Sequence, residues 1–357
     1  MQNGANPLNR QRTLRVLTAV SVLLMSAVCM PALACTLVKL EEWPVRWING
    51  HPVVDGTINN RPIGVMLDTG STRSLIPSSA ARRLDLQRRQ ARNYRMFGVG
   101  GESVVETAYV ESFGIGQMVR KGMYLIVAGA QETSSGIDVI LGEDFLQKAD
   151  VEFDLAHGVV RLFDAQDCGG ASLAYWTKET VGEVAIEPFQ ETQPQIIVRV
   201  AINGVPMRAL VDSGAPASIL TKPDAAAAGL TPDSPGVIAA GSARGIGAKS
   251  IDTWIGPIDT FTIGNENIRS TTILFGDLFR DAAAADTGSR IPRQLAGPQQ
   301  MLLGVDFLRT HRVLIAHSQR KLYFSHVGGP VFRPRAVPVS PPAPDAEGGK
   351  ASAPGGG

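Results

Sequence analysis

The sequence predicts an all-β protein made of two tandem copies of one unit. Three observations lead there. The phrase Leu67-Asp68-Thr69-Gly70-Ser71 returns as Val211-Asp212-Ser213-Gly214-Ala215, each an Asp, a small hydroxyl residue and a Gly between apolar neighbours. The segments on either side of the two phrases correspond in the same order along the chain. Glycine is abundant, 38 of 357 residues, which suits many tight turns between short strands.

The chain is long enough for two domains, and 44% hydrophobic with 19% charged residues is a globular composition. A net charge of +1 offers no argument for nucleic acid or for an acidic surface as partner. Residues 1–34 read as a signal peptide: Arg10, Arg12 and Arg15 precede an apolar run of 15 residues, 16–30, and Ala32-Leu33-Ala34 is an A-x-A cleavage site. That run falls short of the roughly 20 residues a membrane helix needs, and no later segment is long and apolar enough to span. The expected location is periplasmic or secreted. An uncleaved anchor and lipidation at Cys35 are the alternatives. Cys29 leaves with the signal, so Cys35 and Cys168 remain as an even pair in an oxidising compartment. Apolar stretches beside each, 36–40 and 159–163, make a disulfide feasible if they are neighbouring antiparallel strands.

The elements of the first unit, 36–166, recur in the second, 181–326. Ile58-Asn59-Asn60-Arg61-Pro62 and Ile202-Asn203-Gly204-Val205-Pro206 are hairpin turns whose second strand carries the Asp. Ser74-Leu75-Ile76-Pro77 and Ser218-Ile219-Leu220-Thr221 follow, then Ala-rich helical stretches over 78–86 and 223–230. Glycine-rich hairpin tips come next, Gly98-Val99-Gly100-Gly101 and Gly245-Ile246-Gly247-Ala248, leading to Phe113-Gly114-Ile115-Gly116 and Phe261-Thr262-Ile263-Gly264. The closest match is Ile140-Leu141-Gly142-Glu143-Asp144-Phe145-Leu146 with Leu302-Leu303-Gly304-Val305-Asp306-Phe307-Leu308, each followed by a hairpin, 151–163 and 313–324. Extra residues in the second copy fall mostly in 276–300, read as a surface loop, with a lid beside the cleft as the alternative. Residues 167–180 are read as a linker. The Pro-, Gly- and Ala-rich segment 327–357 is read as a disordered tail.

Two carboxylates held in contact cannot both ionise, so they share a proton, and one acts as base toward water while the other acts as acid. Together with the glycine-tipped hairpins and the apolar-apolar-Gly blocks, the two Asp phrases resemble the retropepsin-like branch of the aspartic proteases. Here one chain carries both halves that retroviral enzymes assemble from two. The resemblance implies two pseudo-twofold-related β-barrel domains with short helices, and a monomer acting as an endopeptidase on an extended polypeptide. It implies that Asp68 and Asp212 hold the nucleophilic water. Thr69 and Ser213 brace the loops across the axis. Gly70 and Gly214 admit close backbone approach, and Ser71 and Ala215 complete the loops. Leu141, Gly142, Leu303 and Gly304 support the loops from beneath, while residues 98–101 and 245–248 act as flaps over the substrate.

The chain departs from the family pattern at Ala215, which lacks the hydroxyl of Ser71. The first carboxylate is therefore expected to be better served with donors, giving an asymmetric titration and a mildly acidic pH optimum. Neither flap tip carries an aromatic residue. Asp286-Thr287-Gly288 is a further copy of the phrase, but no apolar strand precedes it and it reads as loop. The histidines at 51, 157, 311, 317 and 326 have no metal-ligand spacing, and His311 and His317 read as structural or exposed. There is no G-x-S-x-G elbow. No metal or cofactor is called for. The rival reading is a catalytically silent module on the same fold that binds peptides or envelope proteins.

Overall fold

The computed structural model describes residues 35–98, 101–128, 136–189, 194–244, 250–278 and 299–332. The first repeat runs β1 (Thr36–Pro44), β2 (Arg46–Ile48), β3 (His51–Ile58), β4 (Arg61–Leu67), β5 (Leu75–Pro77), helix α1 (Ser78–Arg83), β6 (Arg88–Gly98), β7 (Gly101–Ile115), β8 (Met118–Ala128), β9 (Val139–Leu141), helix α2 (Glu143–Leu146), β10 (Asp150–Asp154) and β11 (Val159–Gln166). The second runs β12 (Gly182–Ala185), β13 (Ile197–Ile202), β14 (Val205–Val211), β15 (Ile219–Thr221), helix α3 (Lys222–Ala227), β16 (Ile238–Arg244), β17 (Ser250–Ile263), β18 (Glu266–Gly276), β19 (Met301–Leu303), helix α4 (Val305–Leu308), β20 (His311–Ala316) and β21 (Lys321–His326).

Each repeat closes a six-stranded barrel. In the first the order is β3-β4-β9-β5-β8-β7 with β3 pairing β7; in the second it is β13-β14-β19-β15-β18-β17 with β13 pairing β17. Closure leaves few strand edges to shield. The hairpins entering the Asp strands turn through Asn59 and Asn60 (φ +49° and +61°) and through Asn203 and Gly204 (φ +49° and +79°). Positive φ at both central positions matches the right-handed twist of the flanking strands, and Asn and Gly tolerate it. Helices α1 and α3 are shorter than the stretches expected from the sequence. Both end on a left-handed residue, Asp85 or Gly229, where the amides of Leu86 and Leu230 return to Ala81 and Ala225. Among the described residues no helix is long and apolar enough to cross a membrane.

A third sheet joins the repeats. Its order is β1-β11-β10-β20-β21-β12, antiparallel throughout, half from each copy, with Phe153 opposite Val313 at the join. Glu152, fully buried at that join, accepts from Arg161 Nη1 at 2.6 Å and from Arg312 Nη2 at 3.0 Å of the other repeat. The Arg312 guanidinium lies over Tyr175 and Trp176. Cys35 and Cys168 are disulfide-bonded, and Thr36 of β1 pairs Gln166 of β11 beside them. In the segment read as a linker, Leu173 and Ala174 are buried with Phe163, Leu314 and Tyr323. The stretch 327–332 also differs from the sequence reading. Residues 327–332 are not tail: Val331 and Phe332 are buried, and the Phe332 ring meets Phe261 edge-on at 4.8 Å. Their apolar side chains outweigh the Pro- and Gly-rich composition of the whole segment.

Candidate active site

Each Asp follows the last residue of a barrel strand, β4 or β14, that lies parallel to β9 or β19. The backbone N–H groups of Asp68 and Asp212 donate to Leu141 O (3.0 Å) and Leu303 O (2.9 Å). The two loops are tied across the pseudo-twofold axis by buried hydrogen bonds. Thr69 Oγ1 donates to Val211 O at 2.7 Å and accepts from Ser213 N at 3.0 Å; Ser213 Oγ donates to Leu67 O at 2.8 Å and accepts from Thr69 N at 3.0 Å. Each hydroxyl thus serves one donor and one acceptor of the opposite strand-to-loop junction, so neither buried backbone group is left without a partner.

This brace presses each loop's glycine against the other loop's carboxylate. A Cβ on Gly70 would stand 2.5 Å from both Asp212 oxygens, and one on Gly214 would stand 2.5 Å from Asp68 Oδ1. No side chain fits there. Within its own loop Asp68 Oδ1 accepts from Gly70 N and Ser71 N, both at 3.0 Å. Asp212 Oδ1 accepts from Gly214 N at 2.9 Å and Ala215 N at 3.0 Å. The donor sets are equal. Ser71 Oγ instead donates to Arg73 O at 2.9 Å, so the contrast with Ala215 does not unbalance the carboxylates as the sequence suggested.

Burial holds both carboxyls above the ordinary range. Asp68 is pushed far up, first by burial, then by the charge of Asp212 and a hydrogen bond to it. For Asp212, burial acts upward against the N–H groups of Gly214 and Ala215 and the proton of Asp68. The pair therefore shares one proton.

Beneath the loops, Gly142 and Gly304 are the N-cap residues of α2 and α4, one position beyond β9 and β19. A Cβ on Gly142 would meet Ser71 O at 2.7 Å, and one on Gly304 would meet Ala215 O at 2.7 Å. Two further pairs in this support went unread in the sequence. Ser74 Oγ donates to Asp144 Oδ1 at 2.7 Å and accepts from Gly142 N at 3.0 Å. Ser218 Oγ does the same with Asp306 (2.6 Å) and Gly304 N (2.8 Å). Burial raises Asp306 to about 6, opposed by the Ser218 hydroxyl and N–H. Their signal was present: Ser and Asp recur at matching places in both copies.

The flap hairpins are paired up to Gly98 opposite Gly101 and Arg244 opposite Ser250. Val99, Gly100, Gly245, Ile246, Gly247 and Ala248 lie outside the described residues, as do 279–298 of the insertion and the Asp286-Thr287-Gly288 phrase. His51 lies half-buried at the start of β3, with burial pushing its imidazole below the ordinary value and the Gly214 backbone acting the other way. His311, which the sequence allowed to be exposed, is buried, and the His317 side chain is 8% exposed. Among the described residues no three His, Cys, Asp or Glu side chains are placed to hold a metal ion.

A family model described as aspartyl protease matches residues 54–145 and 198–307, one stretch in each repeat and together more than half of the chain. No curated protein matches the chain.

Proposed function

The chain belongs to the aspartyl protease family, and from that premise we propose that it is an exported aspartic endopeptidase with Asp68 and Asp212 as its catalytic dyad. The observation that carries this reading is the cross-brace, which holds the part-buried carboxyls of Asp68 and Asp212 against each other, each above the ordinary carboxylate range. A substrate water lies between the two groups. The ionised member of the pair takes a proton from the water as its oxygen attacks the scissile carbonyl carbon, and the protonated member gives its proton to the carbonyl oxygen. Collapse of the tetrahedral intermediate breaks the C–N bond, the first carboxyl passes its proton to the leaving amine, and the second regains one from the hydroxyl. No covalent enzyme intermediate forms. The buried loops are preorganised, so little rearrangement is needed at the moment of reaction.

The substrate in this reading is an extended polypeptide, bound as an added strand beneath hairpins β6–β7 and β16–β17. One chain supplies both halves, so the working unit is a monomer. Export to the periplasm or beyond rests on the segment 1–34 and is supported by the Cys35–Cys168 bond, which suits an oxidising compartment. The test is a peptide-library cleavage profile of the mature protein beside Asp212→Asn and Asp68→Asn. Cleavage that both substitutions abolish supports the reading. If no peptide is cut, and both substitutions leave the cellular role intact, the chain is a binding module on this fold.

A further inference from the structure

Glu143 opens α2 directly after the glycine that packs under the first Asp loop, and its N–H donates to Ser71 O at 2.8 Å. Its side chain is fully buried, and neither carboxyl oxygen has a hydrogen-bond partner among the described residues. His317 comes from the turn between β20 and β21 of the other repeat. Its Nε2 stands 3.6 Å from Glu143 Oε2, and both its ring nitrogens are buried and likewise lack a hydrogen bond among the described residues. The alignment of the copies sets Val305 against Glu143 and Leu155 against His317, and both of these are buried. Apolar residues thus satisfy both matching positions, and an acid with an imidazole is costly by comparison.

We propose that Glu143 is a third acid linked to the dyad, a positioning residue whose buried contact with His317 ties the junction of the repeats to the charge on Asp68. The groups facing Glu143 are Asp68 from the first loop, Asp144 from its own helix and His317. Beyond His317, Asp150 of β10 accepts from Ser318 N at 2.8 Å. Burial, then Asp68, then Asp144 push Glu143 up to about 8, while burial pushes His317 down to about 4. Linkage is reciprocal: as far as a charged Asp68 raises Glu143, a charged Glu143 makes the dyad's last proton harder to lose. Glu143 therefore extends to higher pH the range in which the dyad keeps its shared proton.

The catalytic consequence rests on the protease reading; the titration does not. The test follows the Glu143 carboxyl by carbon-13 NMR in the mature protein, assigned by its disappearance in Glu143→Gln. In Asp68→Asn its midpoint is expected to fall by about one pH unit or more. In Glu143→Val/His317→Leu, which copies the apolar twin, the alkaline limb of Asp212-dependent cleavage is expected to move down by about half a unit or more. Glu143→Gln, which keeps the shape, provides the same comparison if the double variant fails to fold. A Glu143 midpoint unchanged in Asp68→Asn, or an alkaline limb that coincides with wild type, overturns the inference. Failure of the protease reading looks different: the wild type cuts no peptide, while the Glu143 titration still responds to Asp68→Asn.

Discussion

Replacing Thr69 by Val keeps the shape of the side chain and removes one oxygen atom. That oxygen donates to Val211 O at 2.7 Å and accepts from Ser213 N at 3.0 Å, and Thr69 is buried. Val therefore strands one backbone carbonyl and one backbone N–H where water has no access. A buried polar group left alone costs about 1–3 kcal/mol, so Thr69→Val should lower unfolding free energy by about 2–6 kcal/mol. The same molecule contains the control. The second repeat does this work with Ser213, so Thr69→Ser keeps both bonds and should cost no more than about 1 kcal/mol for the lost methyl. The assay is denaturant unfolding of the mature protein, read as a shift in midpoint at constant slope. Peptide cleavage should fall more in Thr69→Val than in Thr69→Ser, because loosening the brace lets the carboxylates separate. If Thr69→Val and Thr69→Ser have equal stability and equal activity, the brace does not hold the loops.

Gly70→Ala and Gly214→Ala should each abolish cleavage while leaving the outer barrel strands folded, since the added methyl falls 2.5 Å from the opposite carboxylate; circular dichroism with a cleavage assay separates the two effects. Glu152→Ala should cost about 1–3 kcal/mol by removing the buried acceptor that part-buried Arg161 and Arg312 share, since both keep other partners at Asp154, measured by denaturant unfolding. Stability should peak in mildly acidic solution. Glu143, raised from 4.5 to about 8, and Asp306, raised from 3.8 to about 6, contribute stability that is fully present below about pH 4 and lost as pH rises through their folded values, and the raised dyad acts in the same direction. His317, lowered from 6.5 to about 4, contributes stability present above pH 6.5 and lost as pH falls toward 4. Thermal melts from pH 4 to 9 check this, and a stability maximum above pH 8 would contradict it. Reducing Cys35–Cys168, which closes a loop of 133 residues, should lower stability by about 4–5 kcal/mol on chain-entropy grounds, seen as a lower melting midpoint with reductant.

Much of the architecture was legible because it is written locally and twice. The Asn-rich turns dictate hairpins through backbone sterics alone, and the apolar strands around them follow from alternation. The duplication sets Asp68 and Asp212 at equivalent points, and the resemblance to retropepsin-like proteases supplied the expectation that Thr69 and Ser213 brace them. The errors arose where composition or a single missing hydroxyl stood in for geometry. Ala215 was weighed against Ser71, yet the Ser71 hydroxyl turns away to Arg73 O and both carboxylates receive the same two N–H groups. The Pro- and Gly-rich end of the chain concealed Phe332, which fills the core beside Phe261 and Phe307.

By itself the sequence determined the repeat, its strands and turns, and the two acids, because these depend on periodicity and backbone preference within short windows. Only the tertiary structure decided which groups face each other across the two copies. The partners of Thr69 and Ser213 lie in the opposite repeat, Ser74 and Ser218 reach Asp144 and Asp306 through the packing of α2 and α4, and Glu143 meets His317 at the junction of the repeats. Burial then separates otherwise similar acids. Glu143 and Val305 occupy matching places, but only a carboxyl shut away from water beside Asp68 is driven to hold its proton.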